Sequence, residues 1–240
     1  MTNIRVAPDV AALARMAADT IEDLAHTAIS QTGRFNIALS GGSTPKNLFH
    51  LLASDYKEKI DWKNVFVFWG DERCVPPDND DSNYKMARET LLDHVPLSDA
   101  NIYRIKGELP PEEGAAQYEQ TLSNVFNNQL PRLDLILLGM GDDGHTVSLF
   151  PGTAALNEHQ KWVIPNHVLT AKQTWRITFT LPVINNAANV MFLVAGTGKA
   201  ETLKRVLQGE FKPTELPSQL IKPTDGNLVW AVDKAAESLL

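Results

Sequence analysis

Apolar residues fall along the chain in two rhythms. Between Pro8 and Ile29 they stand at Val10, Leu13, Ala14, Ala17, Ile21, Leu24, Ala25 and Ala28, the three-and-four spacing of a helix with one buried face. Further on they gather into compact runs: Phe35–Leu39, Val65–Trp69, Leu135–Leu138, Ile177–Leu181, Val190–Ala195 and Leu228–Val232, with a weaker one at Asn101–Ile105. Runs this short and continuous, often β-branched, suit strands covered on both faces, as in a mostly parallel sheet. Helical spacing returns between them. Leu48, Leu51 and Leu52 follow the first run, Tyr118, Leu122, Val125 and Phe126 precede Leu135, and Ala200, Leu203, Val206 and Leu207 follow Ala195. Strands alternating with helices predict an α/β fold with an open, mostly parallel sheet and helices on both faces. Ligands of such folds bind outside the carboxyl ends of the strands, so the polar residues after each run are where function is sought.

Composition narrows the class. With 240 residues, no internal repeat and no Gly/Ser linker, residues 1–240 read as a single domain. Hydrophobic residues make up 43% and charged residues 21%, the balance of a globular chain. There is no apolar run long enough to span a membrane, and MTNIRVAPDV lacks the apolar stretch of a secretory signal. One cysteine, Cys74, excludes an internal disulfide framework, and a cytoplasmic location is expected. Net charge is −7, from 29 acidic and 22 basic residues, and without a Lys/Arg block no nucleic-acid surface is expected.

Three turns after predicted strands carry candidate chemistry. In Ser40-Gly41-Gly42-Ser43-Thr44-Pro45, Thr44 suits a helix N-cap and Pro45 the first helical position. The glycines allow a ligand close to the backbone, and free N–H groups at a helix start attract phosphate. The same residues serve equally as a plain capped turn, and they match neither the dinucleotide nor the triphosphate pattern. In the loop Gly70-Asp71-Glu72-Arg73, the carboxylates can bond sugar hydroxyls and Arg73 can hold an oxyanion or carboxylate; the bland alternative is a solvated charge cluster. Asp78, Asp80, Ser82 and Glu89 have calcium-loop spacing, but Asn83 stands where that loop needs glycine and Pro76-Pro77 deny it a preceding helix.

The third turn is the most specific. Gly139-Met140-Gly141-Asp142-Asp143-Gly144-His145-Thr146 places a histidine among three glycines after an apolar strand, with Asp143 near enough to orient its ring. Imidazole is the side chain best suited to moving protons near neutral pH. A structural or surface role is expected of His26, His50, His94, His159 and His167. No HExxH or paired-cysteine spacing points to a metal. Arg176, opening the run at Ile177, and Lys199, after Gly196-Thr197-Gly198, add two cations at strand ends.

Taken together, ALSGGSTP, GDERCVPPDNDDSN, LLGMGDDGHTVSLFPG, WRITFTLP and AGTGKA, in order from about residue 10 to 233, resemble the 6-phosphogluconolactonase family of the oxidative pentose phosphate pathway. Its superfamily includes glucosamine-6-phosphate deaminases on a Rossmann-like open sheet. Those share SGGSTP and DGH but differ after that histidine and lack the arginine following the acidic pair. Thr146-Val147-Ser148-Leu149 and Arg73 are the lactonase form. Asp142 lies at a variable position and is given no role.

The resemblance implies hydrolysis of a phosphorylated sugar lactone without metal or organic cofactor. His145 would activate water with Asp143 orienting it. Gly42, Ser43, Thr44, Arg176 and Lys199 would hold the phosphate, and Arg73 with Asp71 and Glu72 would contact the sugar or the developing acid. Ser43 and Ser148 lie outside any G-x-S-x-G elbow and are not expected to be nucleophiles. Two other readings remain open: an amino-sugar-phosphate deaminase or isomerase, and a non-catalytic sugar-phosphate sensor, which would be expected to carry a DNA-binding helix-turn-helix segment or to lack the catalytic histidine.

Overall fold

The computed structural model describes residues 3–240. In chain order the main elements are β1 (Asn3–Ala7), α1 (Val10–Thr32), β2 (Phe35–Leu39), α2 (Ser43–Asp55), β3 (Val65–Trp69), β4 (Asp71–Arg73), α3 (Asn83–Thr90), α4 (Pro111–Val125), β5 (Leu135–Leu138), β6 (Val163–His167), β7 (Trp175–Phe179), α5 (Leu181–Asn185), β8 (Asn189–Val194), α6 (Ala200–Gln208), β9 (Asn227–Asp233) and α7 (Lys234–Glu237).

Six strands form one parallel sheet in the order β1-β9-β8-β5-β2-β3. Every residue of β2 and β5 is buried, which an open sheet achieves only when both faces are covered. The fold is therefore the Rossmann-like α/β arrangement expected from the alternating runs. From β2 the chain moves outward to β3, then returns to place β5 on the other side of β2. That reversal is a topological switch point, and it opens a crevice between the loops that follow β2 and β5.

The first helix shows how local sequence sets an element. Asp9 Oδ1 accepts the N–H of Ala12 at 2.8 Å, capping α1. Leu13, Ala14, Ala17, Ile21, Ala25 and Ala28 face the core, and Gly33 ends the helix at φ 78°, a left-handed position open to glycine.

The structure corrects the sequence reading at several points. The run at Ile177–Leu181 belongs to a second, antiparallel sheet of order β4-β7-β6, and Leu181 already starts α5. Asp71–Arg73 is strand β4 rather than loop. Asn101–Ile105 makes only an isolated bridge, Ile102 to Val67. β1 and β6 were not anticipated. β1 is an edge strand with only Ala7 buried, and β6 carries Pro165, which a sheet tolerates at an edge.

Candidate active site

The loop after β2 turns at Gly42, whose φ of 109° suits glycine. Helix α2 begins at Ser43 with Gly42 as N-cap and no side-chain cap bond. Thr44 is thus not the cap, and Pro45 lies in the third helical position rather than the first. With no side chain spent on them, the first-turn N–H groups are available to an anion. Gly41 is dictated by contact: a Cβ there would overlap the carboxamide of Asn83. Asn83 Nδ2 in turn donates to the Asp71 carbonyl at 2.9 Å.

Strand pleating separates the acidic pair. Neighbouring side chains on a strand point to opposite faces, so Asp71 and Arg73 share one face of β4 and Glu72 takes the other. Glu72 is 2% exposed. Its Oε1 accepts the N–H groups of Arg73 and Asn83, and its Oε2 accepts Tyr84 N–H and the Ser82 hydroxyl, at 2.8–3.0 Å. Burial pushes this carboxyl above its usual value, while the N–H bonds pull against that. Its acceptor capacity is committed to the start of α3, where the Ser82 hydroxyl also accepts Lys85 N–H. Lys85 holds Asp80 at 2.5 Å, so residues weighed as calcium ligands serve this helix instead.

On the opposite face Arg73 pairs in register with Arg176 of β7. Two like charges directly opposite are unfavourable. Neither guanidinium forms an ion pair among the described residues. Arg73 Nη1 donates to the Asp81 carbonyl at 2.5 Å and Arg176 Nε to the Gln173 carbonyl at 2.8 Å, while Arg73 Nε is buried without a partner. Burial lowers the Arg176 pKa, and Asp71 opposes that shift while Arg73 adds to it. A face with two such cations attracts an anion. Cys74 is half-buried and burial pushes its thiol up to about 11, which leaves no reactive thiolate near neutral pH.

The loop after β5 carries the imidazole. His145 Nδ1 lies 2.5 Å from Asp143 Oδ1, and the His145 backbone N–H donates to the same oxygen at 3.1 Å. The Phe150 ring stacks on the imidazole, 3.8 Å between centroids and 18° between planes. Gly141 is required beneath it, because a Cβ there would collide with the ring. Burial raises the Asp143 carboxyl, but the bonds from His145 outweigh it and hold it below the usual value. Nε2 has no protein partner among the described residues.

Ser148 ties this loop to the small sheet. It is fully buried, donates its hydroxyl to Asp71 Oδ2 at 2.6 Å, donates its N–H to Thr178 Oγ1 at 3.2 Å, and its carbonyl accepts Asn166 Nδ2 at 2.8 Å. A hydroxyl so placed is an anchor rather than a nucleophile. Val147, forced to φ 44°, packs against Gly70. Lys199, in the turn after β8, pairs with Asp142 Oδ1 at 2.6 Å. The loops after β2, β3, β5 and β8 therefore interlock at the carboxyl edge. Sequence reasoning missed Asn83, Ser148 as an anchor, Phe150 and Asp142; only Phe150, in the SLFPG block beside His145, had a local signal. A cleft of about 930 Å³ shares Asp143 and Phe150 with the imidazole seat but is not lined by Arg73, Arg176 or Lys199. The cleft marks volume; the cations mark chemistry. Among the described residues no cluster of three His, Cys, Asp or Glu is placed to hold a metal ion.

Fold and site together define an open-sheet α/β protein whose carboxyl-edge loops carry a histidine–carboxylate pair, a lysine and a glycine-started helix, with two arginines on strands of the small antiparallel sheet. The sequence model described as glucosamine-6-phosphate isomerases/6-phosphogluconolactonase matches residues 8–230, and the chain belongs to that family. A 6-phosphogluconolactonase of Nostoc sp. is 44% identical over 97% of this chain and 96% of its own. The solved 6-phosphogluconolactonase of Trypanosoma cruzi is 28% identical with a TM-score of 0.89, covering 100% of this chain and 97% of that one. A monomeric glucosamine-6-phosphate deaminase, 19% identical with a TM-score of 0.80 over the whole of both chains, shares the fold.

Proposed function

We propose that the chain is a lactone hydrolase acting on 6-phospho-D-glucono-1,5-lactone, giving 6-phosphogluconate in the pentose phosphate pathway. The observation that carries the mechanism is the Asp143–His145 pair at the end of β5. An ionised Asp143 fixes the proton on Nδ1 and leaves the Nε2 lone pair free to act as a base. Nε2 takes a proton from water as the water oxygen bonds to the lactone C1. The tetrahedral intermediate then collapses: the bond from C1 to the ring oxygen breaks, and Nε2–H returns its proton to that oxygen.

Arg176 and Lys199, with the N–H groups of Gly42, Ser43 and Thr44, hold the phosphate in this reading. Arg73 stabilises charge developing on the lactone carbonyl. Asp71 supports the site through Ser148, and Glu72 acts through α3. No cofactor or metal takes part. Residues 1–240 are read as one domain, a reading supported by Ser148, which ties the loop after β5 to the small sheet. The partner is the small phosphorylated lactone, with no nucleic acid involved. No helix among the described residues is long and apolar enough to cross a membrane. The cytoplasm is the proposed compartment, although a 40%-identical relative in Arabidopsis thaliana is named chloroplastic.

The matching family model spans two activities, so the deciding experiment measures both. Purified protein is expected to accelerate opening of the phosphorylated lactone above its spontaneous hydrolysis and to release no ammonia from glucosamine 6-phosphate. Ammonia release without lactone hydrolysis would overturn the reading.

A further inference from the structure

Of the three cations assigned to the crevice, Arg73 and Arg176 lack ion partners among the described residues and Lys199 has one. Its partner, Asp142, was given no part in the chemistry. Lys199 Nζ lies 2.6 Å from Asp142 Oδ1, and the Asp142 side chain is 84% exposed. The Asp142 backbone is pinned, because its carbonyl accepts the Thr202 hydroxyl at 2.6 Å at the start of α6. A carboxylate held this way is anchored at its root and free at its tip. It can swing into water at little cost, since exposed ion pairs are weak and the released group is rehydrated. A phosphate bears more negative charge and three acceptor oxygens, so it outcompetes a single carboxylate for the ammonium.

We propose that Asp142 sets the affinity of the site for phosphate by serving as an internal anion on Lys199, which the substrate's phosphate displaces and which returns as product leaves. This rests on the assignment of Lys199 to the phosphate. In the empty site the ammonium is kept at its post. In the occupied site the tethered carboxylate remains close, repels the phosphate and recaptures Lys199. Affinity is lowered for both substrate and product, and the effect requires a phosphorylated ligand.

The test is a double-mutant cycle with Asp142→Asn and Lys199→Ala, reading KM for the phosphorylated lactone and the inhibition constant of 6-phosphogluconate. Asp142→Asn is expected to lower both by about two- to fivefold, the range of exposed ion-pair energies. It is expected to leave KM for unphosphorylated glucono-1,5-lactone unchanged and to have no effect in the Lys199→Ala background. Asp142→Ala, at the same exposed position, repeats the measurement with no hydrogen-bonding group at all. If Lys199→Ala raises KM but neither Asp142 variant lowers it, the internal-anion role is wrong while the phosphate assignment stands. If Lys199→Ala leaves KM unchanged, both fall.

Discussion

The imidazole of His145 is held on three sides: Asp143 at Nδ1, the Phe150 ring on one face, and the bare Cα of Gly141 against the ring. Positioning of this kind matters because a base misplaced by an ångström loses much of its advantage. General acid–base catalysis contributes about 10²–10⁴-fold. His145→Ala is expected to lower kcat by that range with little change in KM, once spontaneous lactone opening is subtracted at each pH. Asp143→Asn is expected to cost less, because the imidazole and water remain. Its pH profile is informative. The folded-state pKa of Asp143 is depressed, so its stabilising contribution is present above the unfolded carboxylate value, about 3.9, and is lost as pH falls through the lower folded value. Asp143 therefore stays ionised through the usual carboxylate range, and a fall in rate above that range does not come from its own protonation. That fall is expected to persist in Asp143→Asn. A profile made flat by this substitution would show that Asp143 itself supplies the titrating base.

Strand β4 shows how far elements can be read from sequence. The ends of β2, β3 and β5 coincide with apolar runs, because strands covered on both faces are apolar at nearly every position, with Asn36 of β2 the exception. Asp71-Glu72-Arg73 offers no such signal; it is a strand because β7 lies alongside, about a hundred residues further on. Ser148, bonded to Asp71 across 77 residues, and Asn83, fitted against Gly41, depend on the same long-range pairing. The residue types of the site were legible in order along the chain, but which face each would take was not. Glu72 is the clearest case: grouped with Asp71 as a sugar contact, it sits on the opposite side of the pleat, at the N-terminus of α3. Glu72→Gln keeps the shape but turns an NH₂ towards two donors, at a cost of about 1–3 kcal/mol. For a chain of this size, that corresponds to a fall in Tm of roughly 2–12 °C. The folded fraction is expected to keep its KM. A raised KM with unchanged Tm would return Glu72 to the substrate.

Across the molecule, the crevice joins two sheets that pair with different partners, the parallel one through β2, β5 and β8 and the antiparallel one through β4 and β7. A ligand held between α2, Lys199 and the Arg73/Arg176 face bridges them, so its binding energy adds to the stability of the whole. At a hundredfold excess over Kd the gain is about 2.7 kcal/mol, which for about 240 residues raises Tm by roughly 5–10 °C. The product 6-phosphogluconate is the natural probe, since it binds without turning over. Arg176→Ala removes a charge-assisted bond of about 1.5–3 kcal/mol, a loss of roughly ten- to hundredfold in affinity. At fixed product concentration roughly half to five-sixths of the stabilisation is then expected to vanish, and KM for the phosphorylated lactone to rise in step. Unphosphorylated gluconate is expected to stabilise wild type and variant alike, and weakly. The comparison separates two roles for Arg176. If the variant loses stabilisation by gluconate as much as by 6-phosphogluconate, the guanidinium grips the sugar acid rather than the phosphate, and the register pair Arg73/Arg176 faces the C1 end of the substrate.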